Sequence, residues 1–389
     1  MSSSLPSPNN HTDSLMTTTG ATPRNHGLDT LRAAAIVFVM LHHYVLFVSH
    51  RDTFGWVGEI GWVGVDLFFA LSGYLIGNQI FQGLRAPQAF SLPRFYARRL
   101  LRTLPNFYVV LALYYLWPWF RGDLELLPLW RFLTFTQNIN LMPGTAFSHA
   151  WSLCIEEQFY LLLPALALLI ASLRRSLGWA WIAVAVAFCA GMAVRFTLWN
   201  ELVASERSGV NYFMYIYYST FCRFDELVAG VALALVRNYH PRAWQRITSH
   251  GNLALAAGMS VCALAFWIFL ANRFGLYQNT FGFPLLALGF SLLIVSALSE
   301  RSVLKHGRIP GAAQMALWAY AIYVTHKQVC ILAREPLERL GFGPDTAVAA
   351  SLAMALSVLV GWVLYRCIER PFMALRQRWV PTNFKPATA

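Results

Sequence analysis

The sequence predicts an all-α membrane protein, a bundle of about ten transmembrane helices with both termini cytoplasmic, and three observations predict it. Of 389 residues, 57% are hydrophobic and 12% charged, far from the quarter-charged soluble domain. Apolar runs of roughly 17–25 residues, long enough to cross a hydrocarbon layer, recur along most of the chain. Lys and Arg alternate in density from loop to loop, as the positive-inside rule requires of a multi-pass membrane protein.

The runs fall near 33–49, 63–82, 104–120, 151–172, 179–198, 213–236, 252–271, 281–298, 312–332 and 346–365. With the N-terminus inside, the inner segments hold twenty Lys and Arg and the outer loops seven; Arg195, Arg223 and Lys327 lie in or at the edges of spans. The net charge of +12 is therefore a topology signal and does not call for nucleic acid.

Taken in order, the spans are not equally plain. The first, LRAAAIVFVMLHHY, keeps Arg32 and His43 at its two ends. The second carries Gly73 and Gly77, four apart, where a neighbouring helix can approach closely. The third follows an arginine-rich inner loop, and the fourth opens with Glu156 and Glu157. The sixth contains Arg223, Asp225 and Glu226, expected to pair with one another or with adjacent helices. The ninth holds His326 and Lys327; the fifth, seventh, eighth and tenth are apolar throughout most of their length. Residues 1–27, rich in Ser, Pro, Asn and Thr, read as a disordered cytoplasmic tail, 28–372 as one membrane unit and 373–389 as a second tail. Six scattered cysteines, with no metal or redox spacing, read as free thiols, and no metal site is expected.

Arg32 and His43 are eleven positions apart. Eleven helical steps advance about 16 Å and turn about 1100°, close to three whole turns, so the two share a face at different depths. His42, about 100° round, is expected to be structural. An arginine alone at an inner interface reads as a snorkelling anchor, and a lone bundle-facing histidine as a satisfied one. A cation inside and a base further out on one wall also suit acyl-coenzyme A, its phosphates at the cytoplasmic mouth and its pantetheine arm carrying a thioester inward.

Other stretches fit in order. GWVGVDLFFALSGYLIG (61–77), FYARRLLRTLPNFY (95–108), WSLCIEEQFYLLLP (151–164), LWAYAIYVTHKQV (317–329) and IERPF (368–372) follow LDTLRAAAIVFVMLHHY (28–44). Together they resemble the acyltransferase family 3 membrane proteins, the polysaccharide and lipopolysaccharide O-acetyltransferase group, from 28 to 372. The departures are Cys154, where Ser or Thr is common, and the lack past 372 of anything resembling an extra periplasmic domain.

The resemblance implies ten helices, acyl-CoA as co-substrate and acyl transfer, acetyl first, to a hydroxyl of a cell-surface or secreted carbohydrate. Macrolide sugars and nodulation oligosaccharides are alternative acceptors, and no tightly bound cofactor is implied. Acyl transfer needs a base, oxyanion donors and a means of holding both substrates. His43 is the candidate base, since a neutral imidazole accepts protons near neutral pH. Glu156, a carboxylate in a membrane span, is the candidate partner of that imidazole. Arg99 and Arg102, three apart on one helix side, and Arg32 are the candidate phosphate ligands, although positive-inside retention alone would also put arginines there. Trp151, Tyr160 and His326 are candidate substrate-binding or supporting residues, with an aromatic belt as the plainer account of Trp151. A transporter or a glycan flippase using the same intramembrane charges is the competing class.

Overall fold

The first apolar run becomes α1, His26–Tyr44, which continues as a π-helical turn over Val45–Ser49. Asn25 caps it, its side-chain oxygen accepting from Leu28 N at 3.0 Å. The computed structural model describes residues 25–85, 90–173, 176–206 and 208–381. Arg24, Arg174, Arg175 and Arg207, residues 1–24 of the tail expected over 1–27 and the tail end 382–389 lie outside the described residues, while 25–27, expected as disordered tail, cap and open α1. Among those described, the fold is helical without strands.

The long helices that follow are α2 (Val63–Arg85), α3 (Leu92–Leu116), α4 (Trp151–Ser172), α5 (Leu177–Leu198), α6 (Asp225–Tyr239), α7 (Gly251–Ala271), α8 (Phe283–Leu298), α9 (Ala312–Arg339), α10 (Ala347–Leu364) and α11 (Arg370–Trp379). Among the described residues, seven spans are long and apolar enough to cross a membrane: His26–Ser49, Val63–Arg85, Ser148–Ser172, Leu177–Val203, Gly251–Ala271, Gln278–Leu298 and Ala347–Trp379. The expected spans at 104–120, 213–236 and 312–332 are not among them. For the first and third the reason is polar content: α3 contains Arg94, Arg98, Arg99 and Arg102, and α9 contains His326, Lys327 and four charged residues in its last two turns.

The expected continuous helix at 213–236 is broken. It consists of a π-helical turn (Tyr212–Tyr217), a 3-10 turn (Thr220–Cys222) and α6. The break lies where Arg223 and Asp225 need partners. Arg223 pairs with Asp66 of α2, and Asp225 receives Arg195 of α5 at 2.5 Å, all four side chains being buried. A buried ion pair holds only when its geometry is satisfied, and the unwound backbone lets both pairs form. Glu226, expected to pair likewise, keeps both carboxylate oxygens without a hydrogen-bond partner.

The layers follow from burial. In the α2 span 72% of the residues are buried, against 6% in α5. Around the inner helices α1, α2, α6, α8 and α9, the apolar α5, α7 and α10 lie mostly exposed, with α1 packed on α2, α8 and α9. Glycine makes the α2–α6 approach possible: a Cβ on Gly73 would lie 2.0 Å from the Leu227 carbonyl oxygen, and one on Gly230 2.3 Å from that of Ala70. Gly77 faces Ala234 in the same seam, at 3.1 Å by the same measure. All six cysteines are free; Cys189 and Cys367 are exposed and the other four buried. Residues 373–379, read from the sequence as tail, complete α11, which packs on α3.

Candidate active site

Arg32 lies in the second turn of α1, not at its mouth, because the helix begins at His26, well before the apolar run. It faces a cavity of about 170 Å³, open in part to solvent, that Arg99 and Arg102 of α3 also line. Helical spacing puts the latter two on one side of α3, as their separation requires. Among the described residues none of the three arginines has a carboxylate within ion-pair distance, and the Arg99 Nε is buried without an acceptor. The Arg99 guanidinium lies 3.9 Å over the Tyr160 ring, which holds it flat against α4. Three guanidinium forks thus line one cavity that also holds the Glu156 and Glu369 carboxylates, none of them ion-paired to an arginine, and such forks suit the paired oxygens of a phosphate.

Glu156 belongs to this cavity and not to His43. Its Oε1 accepts from Ser72 Oγ of α2 at 2.8 Å, and Ser72 lines the same space. The assumption that equal depth would bring Glu156 to the imidazole fails because the face of α4 bearing Glu156 turns toward α2 and α3. Glu369 enters from the turn before α11, held by Asn106 Nδ2 at 2.8 Å. Sequence reading missed Glu369 and Asn106, although Glu369 stands in the IERPF stretch. Trp151 is also placed otherwise than expected: it is 3% exposed, packs among Phe69, Tyr217 and Tyr218, and lies beneath Arg223. It is core and offers no face to a sugar.

Further along α1, His43 meets His326 of α9, its Nδ1 lying 2.7 Å from the His326 Nε2. The ring planes differ by 3° and the centroids are 4.9 Å apart. That separation is close to the N···N distance plus the two nitrogen-to-centroid radii, so the rings meet edge to edge in one plane. This is the geometry of a hydrogen bond and not of a face-to-face stack.

The tautomers then follow. His326 Nδ1 lies 3.0 Å from the Ile322 carbonyl and 2.9 Å from that of Tyr323, both acceptors only, so it carries the proton. Its Nε2 is therefore a lone pair, His43 donates to it from Nδ1, and His43 Nε2 is left as the proton-accepting atom. The i−4 and i−3 carbonyls of α9 thus fix the basic nitrogen of a residue on α1.

Two neighbours complete the cluster. His149, in a 3-10 turn before α4, sets its ring edge-on to both His43 and His326, at 6.0 and 5.6 Å. Lys327, 1% exposed, donates to Ser148 Oγ at 2.9 Å. Between this cluster and the arginine cavity lie Ser152 and Tyr323, hydrogen-bonded at 2.6 Å and lining the cavity from that side. Tyr323 also donates to the His149 carbonyl at 2.7 Å. Beyond the cluster, His42 contacts the Gly58 carbonyl at 2.8 Å, which agrees with its expected structural part. It borders a second cavity, about 420 Å³, with Asp52, Glu59, Trp62 and Arg273. Among the described residues no group of His, Cys, Asp and Glu has the arrangement of a metal site.

A family model described as "Acyltransferase domain" matches residues 25–366. Among curated proteins, the chain is 24% identical over 367 residues to "Peptidoglycan O-acetyltransferase" of Listeria monocytogenes, covering 88% of this chain and 55% of that one. It is 24% identical over 366 residues to "Putative peptidoglycan O-acetyltransferase" of Bacillus subtilis, covering 89% and 54%. It is 24% identical over 388 residues to "Putative O-acetyltransferase" of Staphylococcus aureus, covering 89% and 57%. The chain thus spans about half the length of the curated relatives it matches. No solved structure matches it.

Proposed function

The chain belongs to the acyltransferase-domain family, and we propose that it is an integral-membrane O-acyltransferase of the bacterial cytoplasmic membrane. It takes an acyl group, acetyl first, from acyl-CoA on the inner side and passes it to a hydroxyl of a carbohydrate. The observation that carries this reading is the three-arginine cavity at one depth of α1 with the His43–His326 pair further along the same helix. Relatives whose names specify peptidoglycan make a cell-wall glycan the acceptor to try first. The crossing count of ten and cytoplasmic termini belong to the same reading, with α3, the 213–239 segment and α9 as crossings whose polar residues face the bundle interior.

Arg32, Arg99 and Arg102 hold the coenzyme phosphates, each guanidinium offering paired donors to phosphate oxygens. The thioester then lies toward Ser152 and Tyr323. His43 Nε2 removes the acceptor's hydroxyl proton as the oxygen attacks the thioester carbonyl carbon. The tetrahedral oxyanion collapses, the carbon–sulfur bond breaks, and the thiolate recovers the proton from His43. The products are the ester and free coenzyme A. Positioned general-base catalysis of this kind contributes roughly 10²–10⁴-fold.

The test is the purified full chain in vesicles with labelled acetyl-CoA and soluble peptidoglycan fragments. Transfer predicts coenzyme A thiol released together with labelled ester on the glycan. Movement of fragments across the bilayer with the thioester intact would instead support the transporter reading.

A further inference from the structure

Lys327 is a lysine buried in the bundle with no carboxylate beside it. Its side chain is 1% exposed, and among the described residues no carboxylate lies within ion-pair distance of its ammonium. Burying an unpaired charge in a membrane protein is costly, and such a group is normally lost unless a function holds it. The surroundings are arranged to hold it. Nζ donates to Ser148 Oγ at 2.9 Å and lies 4.2 Å from the centroid of the Phe47 ring. Phe47 is in turn 5.4 Å from the His43 ring, edge to face, so the ammonium and the imidazole flank one aromatic side chain.

The segment presenting Ser148 is itself constrained. Phe147, just before it, is fully buried and adopts φ +53°, a left-handed conformation that costs a bulky residue energy and persists only where surrounding packing imposes it. Phe107, Tyr114 and Phe132 supply that packing around its ring. The strained turn sets Ser148 against Lys327 and His149 against the histidine pair.

We infer that Lys327, steadied by Ser148, is the oxyanion-stabilising residue of the acyl transfer, an inference that rests on the proposed O-acyltransferase reading. An ammonium has three N–H donors, and Ser148 engages one. The others can meet the thioester oxygen as it becomes negative, which answers the buried charge only in the transition state. The proton goes to His43 and the negative charge on the thioester oxygen faces Lys327, so base and oxyanion donor are separate residues on α1 and α9. A donor placed at a developing oxyanion in a dry site contributes roughly 10²–10³-fold to turnover.

The experiment uses full-length protein in vesicles, acetyl-CoA and peptidoglycan fragments for turnover, and an uncleavable thioether analogue of acetyl-CoA for binding. Lys327→Met should bind the analogue as tightly as the wild type, leave KM for acetyl-CoA within about twofold, and lower kcat roughly 10²–10³-fold. Lys327→Arg, which keeps the charge, should recover part of that loss, and Ser148→Ala should lose less than Lys327→Met. A Lys327→Met protein with wild-type kcat overturns the inference alone. So does one that loses analogue binding, since Lys327 would then serve the donor site. Wild-type protein that binds the analogue yet never releases thiol overturns the transferase reading and this inference with it.

Discussion

The Nδ1 of His43 and the Nε2 of His326 lie 2.7 Å apart in a common plane across 283 residues of sequence. In this pair the α9 backbone carbonyls, through His326, set the tautomer of His43, where a carboxylate might be looked for, and leave His43 Nε2 as the atom the proposed transfer uses as base. Neither ring needs a net charge to do this.

Replacing His43 with Ala should therefore reduce transfer by roughly 10²–10⁴-fold while leaving binding of an uncleavable acetyl-CoA analogue intact. Turnover and binding measured on the same vesicles check this; full activity would end the general-base assignment.

His326 touches no substrate in this scheme and acts as a positioning residue. His326→Ala should lower kcat about tenfold or more with little change in KM. In His326→Gln the amide oxygen can accept from His43 Nδ1, and this variant should regain part of the rate. Equal loss in both variants, with lowered thermal stability, would point to a purely structural part.

Arg99→Ala and Arg102→Ala should raise the acetyl-CoA KM with smaller effects on kcat. A charge-assisted hydrogen bond contributes about 1.5–3 kcal/mol, which predicts roughly 10–100-fold weaker donor binding for each. Titration with 3′-dephospho-CoA beside CoA would show which arginine meets the ribose phosphate.

The α2–α6 seam gives a prediction without catalysis. Gly73→Leu would drive a side chain into the Leu227 backbone, so helices must separate. Overpacking of this kind costs about 1–3 kcal/mol or more, and the melting temperature in detergent should drop, whereas the conservative control Cys189→Ala, on an exposed face, should leave it unchanged.

The sequence carried most of the apolar spans, the shared face of Arg32 and His43 and the common side of Arg99 and Arg102, because hydropathy and helical period are local properties; the grouping of Arg32 with the other two came with the family resemblance. It did not carry which way α4 turns: Glu156 stands at the depth expected but faces Ser72, and rotation about a helix axis is set by neighbours hundreds of residues away. Trp151 was misread as a surface for the same reason, its burial being made by Tyr217 and Tyr218 of the broken segment. That break was itself invisible, since its cause is Asp66 on another helix. His326 was named, but its contact with His43 could not be reached by any spacing rule.

The helices that equip the site are also those least able to enter lipid unaided. α3 brings Arg99 and Arg102, the segment before α6 brings Arg223, and α9 brings His326 and Lys327, and none of these stretches is among the seven spans apolar enough to cross by composition. During biogenesis such segments partition poorly until earlier, greasier neighbours such as α1 and α2 are in place to receive their polar groups. Site assembly and insertion order are thereby tied together: the candidate site can be completed only after the scaffold that shelters it, so a premature stop within α9 should yield an inserted protein without transfer activity.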